Sequence, residues 1–558
     1  MRPRWVALAL GLVTVVLLAL GHRDVGYARD EGIYFSASRS YAAWLGDLAR
    51  DPGRALAREG RDRRFRENHE HPALLKLLAG ASARLLAHAP APGTELDGIV
   101  DTGGLLPVMP EGTAMRLPAQ IIAGLGVALL YVVMAARAGP WAGLLAAGGF
   151  ALLPHVAFHA GLHAFDVPVA VAMLVVVLVW RRALVDRRAG VLVGVALGIA
   201  IAVKHNALFL GPLLAVHYYG ALALGRWRHG LRIERAQLVP LPLVSMAVIA
   251  PLVAFALWPW LWGDPWARVL EYVEFHRQHA YYNMEFLGRN YNQPPMPISY
   301  PAVMTWATVP TCLLVLALVG AVLGVREDVA RGAARAPADQ PTFARPLPDP
   351  WCRQDALLFV GLAVFPLALI SLPSTPIFGG TKHWITAYPF VALLAADAWT
   401  RLWTRSALAD RRRLEPAALV VCLGPAAMAT IDGHPYGISQ YAPMCGGARG
   451  AAELGLNRGF WGTAIAPALP GLATTLGGRN RIYVHDLHEA ALLQYRREGR
   501  WPEQLVAAPI ARAQAGLLFH ELHMATYEFQ LWDRLGTTAP AEVIVLDGVP
   551  LTSIYVER

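Results

Sequence analysis

The sequence predicts a polytopic α-helical membrane protein of about eleven transmembrane helices, with a small α/β domain at its C-terminus. Three observations predict it. The 558-residue chain is 55% hydrophobic and only 16% charged, too apolar for an ordinary soluble protein. Apolar runs near the ~20 residues needed to cross a bilayer recur along most of its length. Beyond residue 431 they give way to short strand-like and helix-like runs.

Spans are expected at 5–21, 117–136, 140–158, 166–181, 189–204, 206–224, 238–258, 301–325, 355–373, 384–402 and 416–431. The first follows Arg2 and Arg4 and lacks a small-residue cleavage site before Arg23, so it reads as an uncleaved span rather than a signal peptide. The net charge of +9 would suggest nucleic acid in a soluble protein, but here the arginines crowd short loops and no nucleic-acid partner is expected. Arg137, Arg181, Arg182, Arg187 and Arg188 fall in alternate loops. So do Arg226, Arg228, Arg232, Arg235, Arg326, Arg331, Arg335, Arg405 and Arg411 to Arg413. With Arg2 and Arg4 they share one side, which the positive-inside rule makes cytoplasmic. The expectation is a cytoplasmic (inner) membrane protein with its N-terminus inside and its C-terminal domain outside. That divides the chain into a membrane domain, 1–431, and an external domain, 432–558.

The external segments are then 22–116, 259–300, the turn 374–383 and the tail. In the first, Leu74, Leu75, Leu77, Leu78, Leu85 and Leu86 interleave with Lys76 and Arg84, the pattern of a helix in the interface with Pro72 in its first turn. Trp258, Trp260 and Trp262 read as an aromatic belt, and the Pro-, Ala- and Arg-rich stretch 326–354 as a flexible linker. The Pro- and Gly-rich insertion 89–113 has no assigned role. In the tail, strands are expected at 481–485, 542–546 and 553–557 and a helix at 486–497. Cys312, Cys352, Cys422 and Cys445 have no paired spacing, which argues against a disulfide framework or a zinc site. Gly194 and Gly198, inside a span, predict close helix packing.

The chemistry gathers on the outer side. Asp30-Glu31 lies just past the first span, and in this topology His71, Lys76, Arg116, Asp166, Lys204 and Lys382-His383 fall on the same face. Asp30 is a candidate general base for an acceptor hydroxyl, with Glu31 sharing or tuning that role; the alternative is a helix N-cap. Of 49 basic residues only Lys76, Lys204 and Lys382 are lysines, all at the outer ends of elements. Lysine meets phosphate as a point charge, although lysines also snorkel to any interface. His155, His159 and His163 would share one face with Asp166 on a continuous helix: a metal site, the polar lining of a cavity, or packing. A turn before Pro168 would break that stripe. His520-Glu521-Leu522-His523 has its second histidine one residue early for a zinc-protease helix. No Gly-rich phosphate loop stands between a strand and a helix. An outward-facing transferase would therefore need a membrane-anchored phosphate ester as its donor.

These residues resemble a known family. The set comprises Asp30-Glu31 after the first span, Glu70-His71-Pro72-Ala73-Leu74-Leu75-Lys76, Arg116-Leu117-Pro118, Asp166-Val167-Pro168, and Lys382-His383 with Tyr388-Pro389-Phe390. In that order they resemble glycosyltransferase family 39, the protein O-mannosyltransferases and the related lipid A aminoarabinose transferases. His434-Pro435-Tyr436, Tyr441 and Cys445-Gly446-Gly447-Ala448 resemble the membrane-exit segment of bacterial members. The resemblance implies a GT-C fold and inverting transfer from a polyprenyl-phosphate-linked sugar at the outer face, to a protein, lipid or polysaccharide acceptor. It implies Asp30 as base or its partner, Asp166 as second acid, and Arg116 on the donor phosphate with Lys382 and His383 nearby. His71 and Lys76 match the HPxLxK-like element of the mannosyltransferases; Glu70 and His71 are expected on the substrate, and Lys76 and Lys204 join the donor-phosphate set. No cofactor is required; a divalent metal is possible but unsupported. The alternative is a lipid-linked glycan flippase or transporter, which would place charges at the bilayer midplane between internal repeats.

Overall fold

A computed structural model describes residues 3–96, 99, 103–184, 186–230, 233, 235–331, 355–407, 409–485 and 487–558. Most of the expected linker (332–354, with Arg335 and Cys352) lies outside the described residues, as do Arg2, Arg232 and part of the insertion 89–113.

Every predicted span coincides with helix: Pro3–Gly21, Glu111–Ala138, Pro140–Ala151 with Pro154–Gly161, Asp166–Ala183, Arg187–Val203, Leu210–His229, Leu241–Ala256, Tyr300–Thr308 with Thr311–Arg331, Asp355–Ile370, Tyr388–Arg405 and Glu415–Asp432. Among the described residues four helices are long and apolar enough to cross a membrane by themselves: Pro3–Gly21, Glu111–Ala138, His205–Leu224 and Glu415–Asp432. The pair Pro140–Ala151 and Pro154–Gly161, bent by 69°, makes a fifth. Others fall short in length, as Leu241–Ala256 and Asp355–Ile370 do. The chain is a multi-pass membrane protein.

Helices approach closely where side chains are missing. A Cβ on Gly194 would meet the Ser245 carbonyl oxygen at 2.3 Å, and one on Gly198 would meet the Ala250 oxygen at 2.7 Å. These glycines seat Arg187–Val203 against Leu241–Ala256, as small residues do between membrane helices. The arginine-bearing loops meet at one end of the bundle. Arg137 and Arg181, at the last turns of their helices, both pair with Asp355, and Arg401 pairs with Asp397 and Glu327. The same two long helices begin, at the opposite end, near Arg116 and with Asp166.

That opposite end carries the remaining structure. Helix Arg29–Arg50 packs against Leu74–Leu86, whose Leu75, Lys76, Ala79, Gly80 and Ala83 are buried. One face of the predicted interfacial helix is therefore covered by protein while Leu78 and Leu85 stay exposed, and it starts after Ala73, so Pro72 precedes it rather than opening it. Trp258 is buried and Trp260 stacks under Arg268, so the expected belt is partly used for packing. The C-terminal segment forms a five-stranded sheet in the order Val506–Ala507, Arg481–Val484, Ala515–Phe519, Val549–Val556, Glu542–Leu546. The first three strands are parallel and the last two pair antiparallel. Ala515–Phe519 went unpredicted: five residues buried throughout show no alternation. Helix Glu489–Arg497 ties this sheet to the outer helices, with Arg497 on Glu111 at 2.8 Å and Arg39 on Gln494 at 2.7 Å. Tyr27, Phe35 and Ala79 share one hydrophobic cluster with Ile482 and Tyr495.

Candidate active site

A cavity of about 520 Å³ opens where helix Arg29–Arg50, the membrane bundle and the C-terminal segment meet. Its charged wall is built from helix ends. Asp30 and Asp166 each sit in the first turn of a helix, Arg29–Arg50 and Asp166–Ala183, where the positive end of the helix dipole favours a carboxylate. Lys204 is the C-cap of Arg187–Val203, where the dipole favours a cation. The Lys204 ammonium donates to Asp166 Oδ1 at 2.6 Å, and Lys382 Nζ donates to Asp30 Oδ2 at 3.1 Å. Ala28 occupies the N-cap position, so Asp30 is not the cap its sequence allowed.

Glu70, His71 and His383 line the same cavity. Glu70 accepts from Asn68 Nδ2 at 2.7 Å, and His71 Nδ1 is buried without a hydrogen-bond partner. Burial, and then the charges of Lys76 and Lys204, hold the His71 imidazole well below its usual range, so it is neutral. The His383 ring engages the Phe378 backbone; burial and Lys382 lower it to about 3.

Three predicted site residues stand elsewhere. Glu31, 1% exposed, faces away from the cavity and accepts from Arg116 Nε at 2.8 Å, Arg116 Nη2 at 2.6 Å, the Ala28 amide at 3.0 Å and the His163 amide at 2.7 Å. Arg116, 2% exposed, donates also to the carbonyls of His22, Val25 and Gly26. With its donors so engaged it does not line the cavity. Lys76 is fully buried and donates to Tyr41 Oη at 3.2 Å, Asn68 Oδ1 at 3.1 Å and the His71 carbonyl at 2.9 Å. Burial pulls its ammonium down to about 7, against the opposing pull of Glu70 and Glu67. It fastens the loop that presents Glu70 and His71.

The histidine stripe is broken, because its helix ends at Gly161 and the next begins at Asp166. His155 bonds Thr381 Oγ1 at 2.9 Å and the Gln440 carbonyl at 3.0 Å, whereas His163 bonds Ser38 Oγ at 2.9 Å. Both nitrogens of His159 are buried without partners, its ring edge-on to Trp461 at 5.6 Å. Among the described residues no group of three or more His, Cys, Asp or Glu side chains converges as a metal site would require.

The cavity also takes residues the sequence did not single out. Tyr34 lies in its wall; burial first, then Asp30, Asp166, Glu70 and Glu31, hold its phenol well above the usual value. His276 and His279 come from segment 259–300, and the His276 ring lies 4.2 Å from that of His205. Their spacing just after the tryptophans was the one available signal. The C-terminal domain adds His488, Glu521 and His523, the last two from the sequence set aside as a false protease signature. Nothing local marks them, since only docking of the domain brings them in.

Residues 107–258 match the family model described as dolichyl-phosphate-mannose-protein mannosyltransferase. Over that stretch the chain resembles the mannosyltransferases of glycosyltransferase family 39. The match contains Arg116, Asp166 and Lys204. The chain is also similar to the crystal structure of ArnT from Cupriavidus metallidurans in the apo state, with 15% identity and a TM-score of 0.48 over 99% of this chain and 98% of that one. For the same protein bound to undecaprenyl phosphate the values are 14% and 0.46 over the same shares. No curated protein matches the chain.

Proposed function

We propose that this protein is a membrane glycosyltransferase that moves a sugar from a polyprenyl-phosphate-linked donor to an acceptor hydroxyl, at the outer face of the cytoplasmic membrane. The observation that carries the reading is the pair of lysine–carboxylate contacts, Lys382–Asp30 and Lys204–Asp166, facing one cavity at the bundle end opposite the arginine network. The match to a mannosyltransferase family over 107–258 supports it.

In this reading Lys204 and Lys382, with His383 beside them, hold the donor phosphate. Asp30 takes the proton of the acceptor hydroxyl as its oxygen attacks the anomeric carbon. The bond from that carbon to the phosphate oxygen breaks, and its electron pair leaves with the polyprenyl phosphate. Two ammonium groups in a partly dehydrated site stabilise the negative charge that develops there. A single displacement inverts the anomeric centre. Asp166 orients Lys204 and acts as the second acid, while Glu70 and His71 face the sugar. Glu31, Arg116 and Lys76 act from behind, by fixing the segments that carry Asp30, Glu70 and His71. The apolar part of the wall, including Phe209, Leu369 and Ile370, suits the first isoprene units of the donor. The division into a membrane domain to 431 and an external domain from 432 follows the end of helix Glu415–Asp432.

The test is release of free polyprenyl phosphate from polyprenyl-phosphate-mannose by purified protein, with and without a membrane extract as acceptor source. Extract-dependent release is expected. Folded protein that releases nothing from mannosyl, glucosyl or aminoarabinosyl donors would overturn the assignment.

A further inference from the structure

Lys382 occupies a position that two anions would compete for. Its ammonium touches Asp30 and lies over two aromatic faces, 4.5 Å from the Trp461 ring centroid and 4.8 Å from that of Phe378. Gly379, at φ +75°, makes this possible: a Cβ there would meet Trp461 Cζ2 at 2.1 Å and Lys382 Cε at 2.8 Å. The stem of the lysine therefore runs over bare backbone, and the rings stabilise the cation without fixing its hydrogen-bond partner. A lysine ammonium is a point charge with three rotatable donors on a flexible stem, so it can change acceptor by a small rotation. Asp30 has the more open side, with its side chain 36% exposed against 9% for Lys382.

The second pair differs. Lys204–Asp166 is shorter, at 2.6 Å, and its carboxylate is the buried member at 8% exposure. No aromatic cation contact supports Lys204 among the described residues. Asp166 thus holds Lys204 in place, whereas Asp30 and the rings share Lys382.

Building on the transferase reading, we propose that Lys382 is an exchangeable partner that masks Asp30 until the donor phosphate draws it away. A carboxylate oxygen held by an ammonium has a lone pair engaged that an acceptor hydroxyl would need. Once Lys382 turns to the phosphate, the Asp30 carboxylate is left free of its cation at the moment a sugar is in place to react. Donor seating and base activation become one event, and an acceptor hydroxyl meets an active base only when a donor is bound. The cost to donor affinity is the Asp30–Lys382 contact that must be broken.

The consequence is a carboxylate that weakens binding of the ligand its own site exists for, through one named lysine. The probe is undecaprenyl phosphate in nanodiscs, its affinity measured for wild type, Asp30→Asn, Lys382→Met, the double variant, and Glu70→Gln. Asp30→Asn is expected to bind about five-fold tighter than wild type, the ratio that ~1 kcal/mol gives. Lys382→Met binds more weakly, and adding Asp30→Asn to Lys382→Met restores nothing. Glu70→Gln shows how much any lost negative charge in the cavity contributes. Unchanged or weaker binding by Asp30→Asn overturns the proposal. So does a gain equal to that of Glu70→Gln, or one that persists without Lys382, because either would make it a general field effect. No binding by folded wild type would overturn the transferase reading itself, and the proposal with it.

Discussion

Asp30 and Glu31 are neighbours in one helical turn, yet they belong to different regions of the molecule. Asp30 faces the cavity with one lysine contact and an open side. Glu31 points into the protein with four hydrogen-bond donors around it and 1% exposure. Both are acids paired with a cation; what separates them is saturation. A carboxylate with every lone pair engaged cannot accept a proton without losing structure, whereas one with a single mobile partner can. Arg116 and Lys382 differ in the same way. The guanidinium is locked to Glu31 and three carbonyls, the ammonium to one carboxylate and two ring faces. The clamp fixes the shape of the segment that presents Asp30, and the open pair is left for chemistry.

Breaking each half in turn should give different failures. Asp30→Asn is expected to lower sugar transfer by roughly 10²–10⁴-fold, the range for loss of a general base, with thermal stability near wild type. Turnover close to wild type would remove Asp30 from the reaction. Arg116→Met should act first on folding, because it leaves Glu31 charged and unpaired in the interior. A loss of about 3–5 kcal/mol is expected, visible as a lower Tm and poor recovery from detergent. A stable but inactive Arg116→Met would instead argue for a direct role at the phosphate. Lys204→Met removes one charge-assisted contact from the open region. It should weaken undecaprenyl phosphate binding by about ten-fold, as loss of ~1.5 kcal/mol implies, and lower Tm as well, because Asp166, 8% exposed, loses its cation.

The smallest expected effect is on pH. Burial lowers the His163 imidazole to about 4, and also holds His71 well below its usual range. In the unfolded chain each would take a proton near its usual pKa of about 6.5. Below that value the unfolded state binds more protons than the native one, so stability is complete above about pH 6.5 and declines as the pH falls towards 4. Melting followed from pH 7.5 to 5 should show Tm falling, and His163→Gln should flatten the slope. A Tm that rises on acidification would contradict neutral, buried histidines on this side of the clamp.

The two regions were not equally legible. Both acids, all three lysines, Arg116 and Asp166 could be gathered on one face from topology alone, because apolar runs and arginine loops decide which ends of the helices lie together. Which of them face the cavity could not be read. Asp30 and Glu31 are adjacent in sequence, and the roughly 100° turn between successive helical residues, not any property of the side chains, sends one outward and the other inward. Lys76 shows the same limit: its place among leucines suggested an interfacial face, but it lies on the buried side of Leu74–Leu86 and caps a loop from within.

The sequence by itself determined the helical membrane architecture, the mixed C-terminal domain and the collection of ionisable groups at one end, since each follows from local hydrophobic periodicity and charge placement. Tertiary structure alone decided that Glu31 and Arg116 saturate one another, that Gly379 seats Lys382 between two rings, and that His488, Glu521 and His523 from the C-terminal domain complete the cavity wall. Those outcomes depend on contacts between separate segments, 85 residues apart for Glu31 and Arg116, where geometry in space, not spacing along the chain, sets which charges are buried and which stay free to react.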